Sequence, residues 1–142
     1  MLTTEKYLQS YGVRPSVQRT AVMNYLRTHF THPTAEEIYR ALSPSMPTLS
    51  KTTVYNTLKL LVERGAVHSL DIDPRNERFD ADISLHAHFM CSCCGTISDM
   101  RLGEEILAGL APAEGAEIRC VQLLCRGVCA ACRESEKRNK TI

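Results

Sequence analysis

The stretch His86-Ala87-His88-Phe89-Met90-Cys91-Ser92-Cys93-Cys94-Gly95 places two kinds of potential metal ligand side by side. On a β-strand, side chains at i and i+2 point to the same face, so His86 and His88 can reach one ion together. Cys91 and Cys94 form a C-x-x-C pair, and the glycine that follows favours a turn presenting both thiolates to a second ion. The stretch therefore predicts one half of each of two metal sites.

A second C-x-x-C pair, Cys129-Ala130-Ala131-Cys132, can complete the thiolate site. Two such pairs that face each other make a tetrahedral four-cysteine zinc site. The 34 residues between Cys94 and Cys129 exceed the usual zinc-ribbon spacing, which predicts a helix and a strand inserted between the pairs. The alternative is two unrelated thiol pairs in a reducing compartment.

Three cysteines lie outside this pattern. Cys120 falls in an apolar predicted strand and is expected to be a small core residue. Cys125 lies four residues before Cys129 and could be an accessory thiol, and Cys93 could exchange with the thiols of the turn. None of the three gains a role from the sequence.

The two strand histidines need further nitrogen or oxygen ligands to hold a metal ion. The candidate carboxylates are Asp80 and Asp82 upstream and Asp99 at the end of the adjacent predicted strand. His32 is distant in sequence but could join them if the two halves of the chain fold against each other. A shell of three histidines and two aspartates suits Fe²⁺ or Mn²⁺, and Zn²⁺ would also bind. The alternative is that both strand histidines are exposed polar residues.

The composition indicates a folded cytoplasmic protein. Its 142 residues suit one domain of average size or two small ones, and 44% hydrophobic and 23% charged residues exclude a disordered chain. We expect a cytoplasmic location and no membrane partner, because the sequence has neither an apolar signal core nor an apolar run of membrane-spanning length. Seven cysteines in such a chain favour metal binding or redox chemistry over disulfides.

The charged residues are divided unevenly along the chain. Residues 1–70 carry eight Lys and Arg against four Asp and Glu, whereas residues 71–142 carry nine against twelve. A basic first half followed by an acidic, Cys- and His-bearing second half suggests a nucleic-acid reader joined to a metal module. Random variation of the solvated surface is the alternative.

Periodicity, caps and breakers predict three helices before residue 44. The first runs from Thr3 or Thr4 to Tyr11. The second opens at Ser16 and ends near Thr28, with an apolar face predicted to contain Val17, Ala21, Val22, Tyr25 and Leu26. The third begins at a capping box formed by Thr34 and Glu37.

A fourth helix is predicted over Lys51–Arg64, ended by Gly65. The alternating residues after it and the turn at residues 73–76 predict a β-hairpin, the wing that commonly follows a recognition helix. On the outward face of this helix lie Lys51, Thr52, Tyr55, Asn56 and Lys59. Such a face suits contacts to phosphates and base edges in a major groove. Its alternative is an ordinary solvated helix surface.

The second half is predicted to contain strands at residues 86–91, 96–100 and 116–125, with a helix over residues 102–110. A cysteine-bearing turn and a polar, partly helical tail follow. The chain is therefore an α+β protein. We predict a winged helix-turn-helix at residues 1–82 and a small α/β dimerisation domain at residues 83–142.

Several motifs, in the same order, resemble those of the ferric uptake regulator (Fur) superfamily, and the resemblance covers nearly the whole chain. The matching pieces are Gly12-Val13-Arg14-Pro15-Ser16-Val17-Gln18-Arg19, His32-Pro33-Thr34-Ala35-Glu36-Glu37-Ile38-Tyr39, Thr53-Val54-Tyr55-Asn56-Thr57-Leu58, Glu63-Arg64-Gly65, Arg78-Phe79-Asp80, His86–Gly95 and Gly127-Val128-Cys129-x-x-Cys132. Several motifs in the right order are far more specific than any one of them.

The resemblance implies an amino-terminal winged helix for DNA, a carboxy-terminal dimerisation domain, and repression while a regulatory metal is bound. Within the superfamily the chain most resembles the peroxide regulator (PerR) branch, in which the positions of His32 and His86 are oxidised. The regulatory ligands of that branch fall on His32, Asp80, His86, His88 and Asp99. Iron-sensing members typically carry Glu at the two Asp positions. A further metal site of other members is expected to be missing, because its flanking positions are Leu85 and Ala87.

We therefore expect a homodimeric transcriptional repressor that binds a palindromic DNA operator and senses peroxide through regulatory Fe²⁺ or Mn²⁺. Structural Zn²⁺ would be held by Cys91, Cys94, Cys129 and Cys132. The residues predicted to contact DNA are Arg14, Gln18, Arg19, Lys51, Thr52, Tyr55, Asn56 and Lys59. We expect neither enzymatic activity nor a small-molecule substrate.

Two alternatives remain open at this point. The chain could report iron or zinc availability within the same superfamily. It could also be a zinc hydrolase or deaminase, but the H-x-E and H-E-x-x-H signatures of those enzymes are missing from the sequence.

Overall fold

In the computed structural model, which describes residues 1–118 and 121–140, the chain divides into two units, Met1–Ile83 and Ser84–Ile142. The predicted boundary lies one residue before this division, and the roles assigned to the two units remain predictions. Among the described residues, no helix is both long and apolar enough to cross a membrane.

Four helices and a hairpin form the first unit, which is a winged helix-turn-helix. The helices are α1 (Thr4–Ser10), α2 (Val17–Thr28), α3 (Ala35–Leu42) and α4 (Lys51–Glu63). The hairpin pairs β1 (His68–Leu70) with β2 (Arg78–Asp80) in antiparallel register. The predicted helices and hairpin are thus confirmed to within a few residues.

Local side-chain chemistry explains where these helices begin and end. Each helix follows a Ser or Thr whose hydroxyl accepts the backbone N–H three residues later, at Thr3, Ser16, Thr34 and Ser50. The predicted capping box is present, since the Glu37 carboxylate also accepts the Thr34 N–H at 3.2 Å. Gly65 ends α4 with φ +79°, a conformation that a residue with a side chain adopts only under strain.

One side chain predicted for the core of this unit lies on the surface. Val17 is 75% exposed, whereas Met23, which the prediction omitted, is fully buried beside Val22 and Leu26. At 100° per residue, Val17 lies half a turn away from Leu26 around α2, so the two cannot share a face. The apolar face of α2 is centred on Leu26 and packs against α3 and α4.

The second unit is built on a mixed sheet of three strands in the order β4-β3-β5. These are β3 (Ala87–Cys91), β4 (Ile97–Met100) and β5 (Leu123–Gly127), and the helices are α5 (Glu104–Ala108) and α6 (Ala130–Lys140). β4 pairs antiparallel to β3, while β5 pairs parallel to it on the other side. The chain between β4 and β5 therefore leads from one edge strand of the sheet to the other, with β3 between them.

The strand predicted over residues 116–125 is misplaced. β5 starts at Leu123 and ends at Gly127, because its register is fixed by β3, where Ala87 pairs with Leu123 and Cys91 with Gly127. Residues 116–118 belong to no strand. The position predicted for Cys120 lies outside the described residues, and Cys125 is paired opposite Phe89 in the middle of β5.

Very few side chains of the second unit are buried. Within its described residues, Ala87, His88 and Cys91 are the only buried ones, and all three belong to β3. Five large apolar side chains are exposed, namely Leu85, Met100, Ile106, Leu110 and Ile118. The described residues of this unit therefore form no hydrophobic core of their own.

Candidate metal centres and nucleic-acid interface

Four cysteine side chains converge where β3 and β5 end. Cys91 and Cys94 flank the turn after β3, and Cys129 and Cys132 lie at the start of α6. Their four sulfur atoms all lie within 4.8 Å of one another, with Cys94 Sγ and Cys129 Sγ 3.8 Å apart. The parallel pairing of β3 with β5 brings both C-x-x-C pairs to the same end of the sheet.

Backbone N–H groups in this cluster point at sulfur. The N–H of Cys129 donates to Cys91 Sγ at 3.3 Å. The pKa of the Cys91 thiol is lowered to about 6, most strongly by this hydrogen bond and next by the hydrogen bond from the Cys94 N–H. The pKa of Cys94 is also lowered, chiefly by the Thr96 hydroxyl, whereas the pKa of Cys132 is raised by hydrogen bonding to Cys129 and Cys91. Crowded thiols cannot all ionise unless a cation balances their charge.

This donor set fits a tetrahedral zinc ion. Sulfur atoms about 2.3 Å from a common Zn²⁺ lie about 3.8 Å apart, which agrees with the separation of Cys94 and Cys129. Gly95, with φ +75°, turns the chain so that its N–H donates to the Cys91 carbonyl at 2.9 Å. The side chain of Cys93 lies outside the cluster and is exposed.

Two histidines and an aspartate of the second unit form another group of converging donors. Nε2 of His86 and Nε2 of His88 are 3.0 Å apart, and each lies 3.5 Å from Asp99 Oδ1. Asp99 stands directly opposite His88 in the β3–β4 register. Donors bound side by side to one ion at about 2.1 Å lie about 3 Å apart, so the three atoms suit a common metal.

A backbone carbonyl sets the tautomer of His86. Its Nδ1 lies 2.7 Å from the Ser84 carbonyl oxygen. Because a carbonyl only accepts, Nδ1 carries the proton and Nε2 keeps its lone pair for a metal. The ring nitrogen that faces His88 and Asp99 is therefore the one able to ligate.

The first unit holds the remaining two predicted ligands next to each other. His32, in the loop before α3, and Asp80, the last residue of β2, are both buried, with His32 Nε2 and Asp80 Oδ2 3.6 Å apart. The other carboxylate oxygen of Asp80 accepts the N–H of Asp82 at 2.9 Å, which orients the group. His32 has φ +53°, a left-handed conformation that is uncommon outside glycine and clusters at functional sites.

The predicted DNA-contacting side chains lie on α4 and near the start of α2. On α4 the predicted residues Lys51, Thr52, Tyr55, Asn56 and Lys59 are all exposed. A polar cavity of about 340 Å³ between the two helices is lined in part by Gln18, Arg19 and Asn56. The Arg19 guanidinium donates to the Arg14 carbonyl at 2.9 Å, which holds the chain entering α2.

Two residues with contacts to these sites received no role from the sequence. Thr96 hydrogen-bonds Cys94 Sγ at 3.2 Å, and Arg78 donates to the carbonyl of His32 at 3.0 Å. Thr96 could have been found from its place two residues after the C-x-x-C pair. Arg78 stands two residues before Asp80 and so shares its side of the strand, but its contact with His32 spans 46 residues.

Comparison with known proteins identifies relatives of this chain in sequence and in fold. The model of the Ferric uptake regulator family matches residues 10–124. The peroxide-responsive repressor PerR of Staphylococcus aureus is 43% identical over 94 residues, which are 66% of this chain and 64% of that protein. The matched stretch thus spans less than two thirds of this relative's length.

Solved structures extend the similarity over nearly the whole chain. PerR from Streptococcus pyogenes, described in terms of peroxide sensing and gene regulation, has a TM-score of 0.52 at 30% identity and covers 93% of this chain and 94% of its own. A zinc uptake regulator in complex with zinc and DNA has a TM-score of 0.67 at 26% identity, and the match covers 96% of this chain and 99% of the regulator.

Proposed function

The chain belongs to the ferric uptake regulator family, and from that premise we propose that it is a metal-dependent, DNA-binding transcriptional repressor that responds to peroxide. The observation that carries the proposal is the presence of aspartate, not glutamate, beside the histidines of both units. His32 meets Asp80 in the first unit, and His86 and His88 meet Asp99 in the second. The 43% identity to a peroxide-responsive repressor supports the same branch.

Zinc on the four-cysteine cluster has a structural role in this proposal. The four sulfurs offer a closed tetrahedral shell, which leaves no position for a substrate. Because Cys91 ends β3 and Cys94 follows it, while Cys129 and Cys132 follow β5, the ion would join the ends of these two strands. This is the role of structural zinc in a unit that buries little apolar surface.

The regulatory ion would take its ligands from both units: His32 and Asp80 from one, His86, His88 and Asp99 from the other. Three imidazoles and two carboxylates suit Fe²⁺ or Mn²⁺. An ion that binds across two units favours one arrangement of those units over others, by as much as its differential affinity. Occupancy of the metal site would in this way control whether the winged-helix units of the dimer can bind DNA.

The proposed partners are operator DNA and a second copy of the chain. α4 offers two exposed lysines together with Tyr55 and Asn56, a mixture suited to phosphates and base edges. The exposed apolar side chains of the second unit would be buried against the same unit of the partner. A two-fold dimer presents two α4 helices, which matches a palindromic operator. A cytoplasmic location remains a prediction.

The peroxide response would take place on the histidines themselves. Ferrous iron bound by imidazoles supplies one-electron reduction of peroxide, which Mn²⁺ does not readily supply. His32 and His86 are the imidazoles that the family resemblance assigns as acceptors of oxygen. In the net reaction, one peroxide oxygen enters an imidazole C–H bond and the other leaves as water, so the peptide gains one oxygen atom.

Peptide mass spectrometry after brief exposure to peroxide tests this proposal on the iron- and manganese-loaded protein. We expect one added oxygen on the peptide bearing His32 or His86 in the iron form only. Oxidation of the cysteines would need no iron and would occur equally in both forms. Equal sensitivity of the two forms, with oxygen or disulfides found only on cysteines, would contradict the histidine mechanism and indicate a response through thiols.

A further inference from the structure

Arg78 joins the wing to the loop that carries His32. Its Nη1 donates to the carbonyl oxygen of His32 at 3.0 Å, across 46 residues of sequence. The Arg78 side chain is only 20% exposed, so water competes weakly for this hydrogen bond. A charged donor also makes the bond stronger than one between neutral groups.

The backbone of β2 reinforces the same junction. Residue 78 forms an isolated antiparallel bridge with Thr34, and the N–H of Phe79 donates to the Pro33 carbonyl at 3.0 Å. Residues 32 to 34 are therefore fastened to β2 by both main chain and side chain. The Phe79 side chain is buried in the core of the unit, which anchors β2 from its other face.

Two carboxylates fix the guanidinium group in place. Asp73 Oδ2 lies 3.2 Å from both Nε and Nη2 of Arg78, so a single carboxylate oxygen faces the side of the guanidinium and makes a charge-assisted hydrogen bond with Nε–H. Glu37, which also caps α3, lies 3.8 Å from Nη1. The group that bonds the His32 carbonyl is thus restrained by the hairpin and by α3 together.

This arrangement bears directly on the pair of His32 and Asp80. Arg78 and Asp80 stand two residues apart on one strand, so their side chains leave β2 on the same face. Arg78 holds the backbone of His32 in its left-handed conformation, and Asp80 faces the imidazole at 3.6 Å. Without the Arg78 bond, the loop would relax toward commoner conformations and carry the imidazole away from Asp80.

We propose that Arg78 is a positioning residue for the regulatory metal site, acting through the backbone of His32. This inference rests on the proposed function, in which His32 and Asp80 are ligands of the regulatory ion. Groups that orient the ligands of a metal typically change its affinity by about 10- to 100-fold when they are replaced. Arg78 should accordingly tune the regulatory site while leaving the four-cysteine site unaffected.

The test titrates Mn²⁺ into the zinc-loaded full-length protein, reading free Mn²⁺ by electron paramagnetic resonance. We expect Arg78→Gln to weaken Mn²⁺ affinity by about tenfold or more. The matched control is Arg75→Gln, which removes the same charge from an exposed residue in the turn just before β2 and should stay within about twofold of the unaltered protein. Zinc content and the melting temperature are measured on both variants.

A second readout separates positioning of His32 from a general loosening of the fold. With saturating Fe²⁺ and brief peroxide, the share of added oxygen on His32 relative to His86 should fall in Arg78→Gln and stay constant in Arg75→Gln. A general loss of structure would lower both positions together. If Arg78→Gln fails to fold, Asp73→Asn, which frees the guanidinium but keeps it, should show the same shift to a smaller extent.

The outcomes keep the two proposals apart. If the unaltered protein takes up no Mn²⁺ beyond its zinc, the proposed function itself is wrong. If it binds Mn²⁺ but Arg78→Gln binds equally well, or if Arg75→Gln loses as much affinity, the inference about Arg78 is wrong. An unchanged ratio of His32 to His86 oxidation in Arg78→Gln would also overturn it.

Discussion

At the scale of single residues, the four clustered cysteines show how the position of a thiol in the fold determines whether it can bind a metal ion. The thiol of Cys91 is fully buried and receives the Cys129 N–H, so it is held ready as a thiolate in a place where an uncompensated charge is costly. Cys93, two residues further on, is exposed and outside the cluster. Neighbouring cysteines on one turn are therefore expected to differ sharply in function.

We predict that Cys91→Ser or Cys132→Ser releases the tightly held zinc and, with it, the dimer. The physical reason is that binding of structural zinc contributes directly to folding, by about 10 kcal/mol or more. Elemental analysis and sedimentation equilibrium measure the two losses. Cys93→Ser is the matched control and should keep its zinc. If Cys93 proved as necessary as Cys91, our assignment of the ligands would be wrong.

The residue scale also marks the limit of what the sequence could predict. The grouping of the four cysteines could be predicted because each C-x-x-C pair is visible within four residues of the sequence. Only the contact between the two pairs depends on residues that are distant in the sequence. The left-handed His32 and its bond from Arg78 were not predictable in this way. They depend on the hairpin folding back onto a loop 46 residues earlier, and no local pattern encodes that contact.

At the scale of helices and strands, α4 is the element on which recognition of DNA depends. Its inner face buries Val54, Leu58 and Leu61 in the core, which fixes the orientation of its outer face. The outer face carries Lys51, whose ammonium lies 3.5 Å from the Glu36 carboxylate. That ion pair is solvent-exposed and weak, so a DNA phosphate can replace the carboxylate at little cost.

We expect Lys51→Ala or Lys59→Ala to weaken binding to all DNA sequences and to reduce the salt dependence by about one unit of log–log slope each. Tyr55→Ala or Asn56→Ala should change the base preference more than the general affinity. Fluorescence anisotropy at several salt concentrations, with specific and scrambled duplexes, distinguishes the two effects. Lys6→Ala, an exposed lysine of α1, serves as the control. Unchanged binding in all four variants would place the reading face elsewhere.

Elements whose limits are local were the ones that the sequence predicted well. The Thr34–Glu37 capping box and Gly65 mark a helix start and a helix end through contacts within a few residues. β5 was misplaced because it pairs in parallel with β3, more than 30 residues earlier, and apolar content alone does not fix that register. The apolar character of Val17 suggests a core position, but its side chain lies half a turn around α2 from Leu26 and is exposed.

At the scale of the whole molecule, the two units differ in how they can be stable. The first has a continuous core formed by its four helices and hairpin. In the described part of the second, three residues are buried, so its sheet depends on zinc and on a partner copy in our proposal. Dimerisation and metal binding would therefore be coupled to the folding of this unit.

The central claim, that a regulatory metal sets DNA binding and peroxide relieves it, is tested most directly by one binding experiment. Zinc-loaded protein is titrated onto a duplex recovered from a random library by selection with the manganese form. We expect tight binding with Mn²⁺ or Fe²⁺, weak binding with neither, and release by peroxide from the iron form only. Binding that is equally tight without the regulatory metal, or equally sensitive to peroxide in both metal forms, would contradict the account.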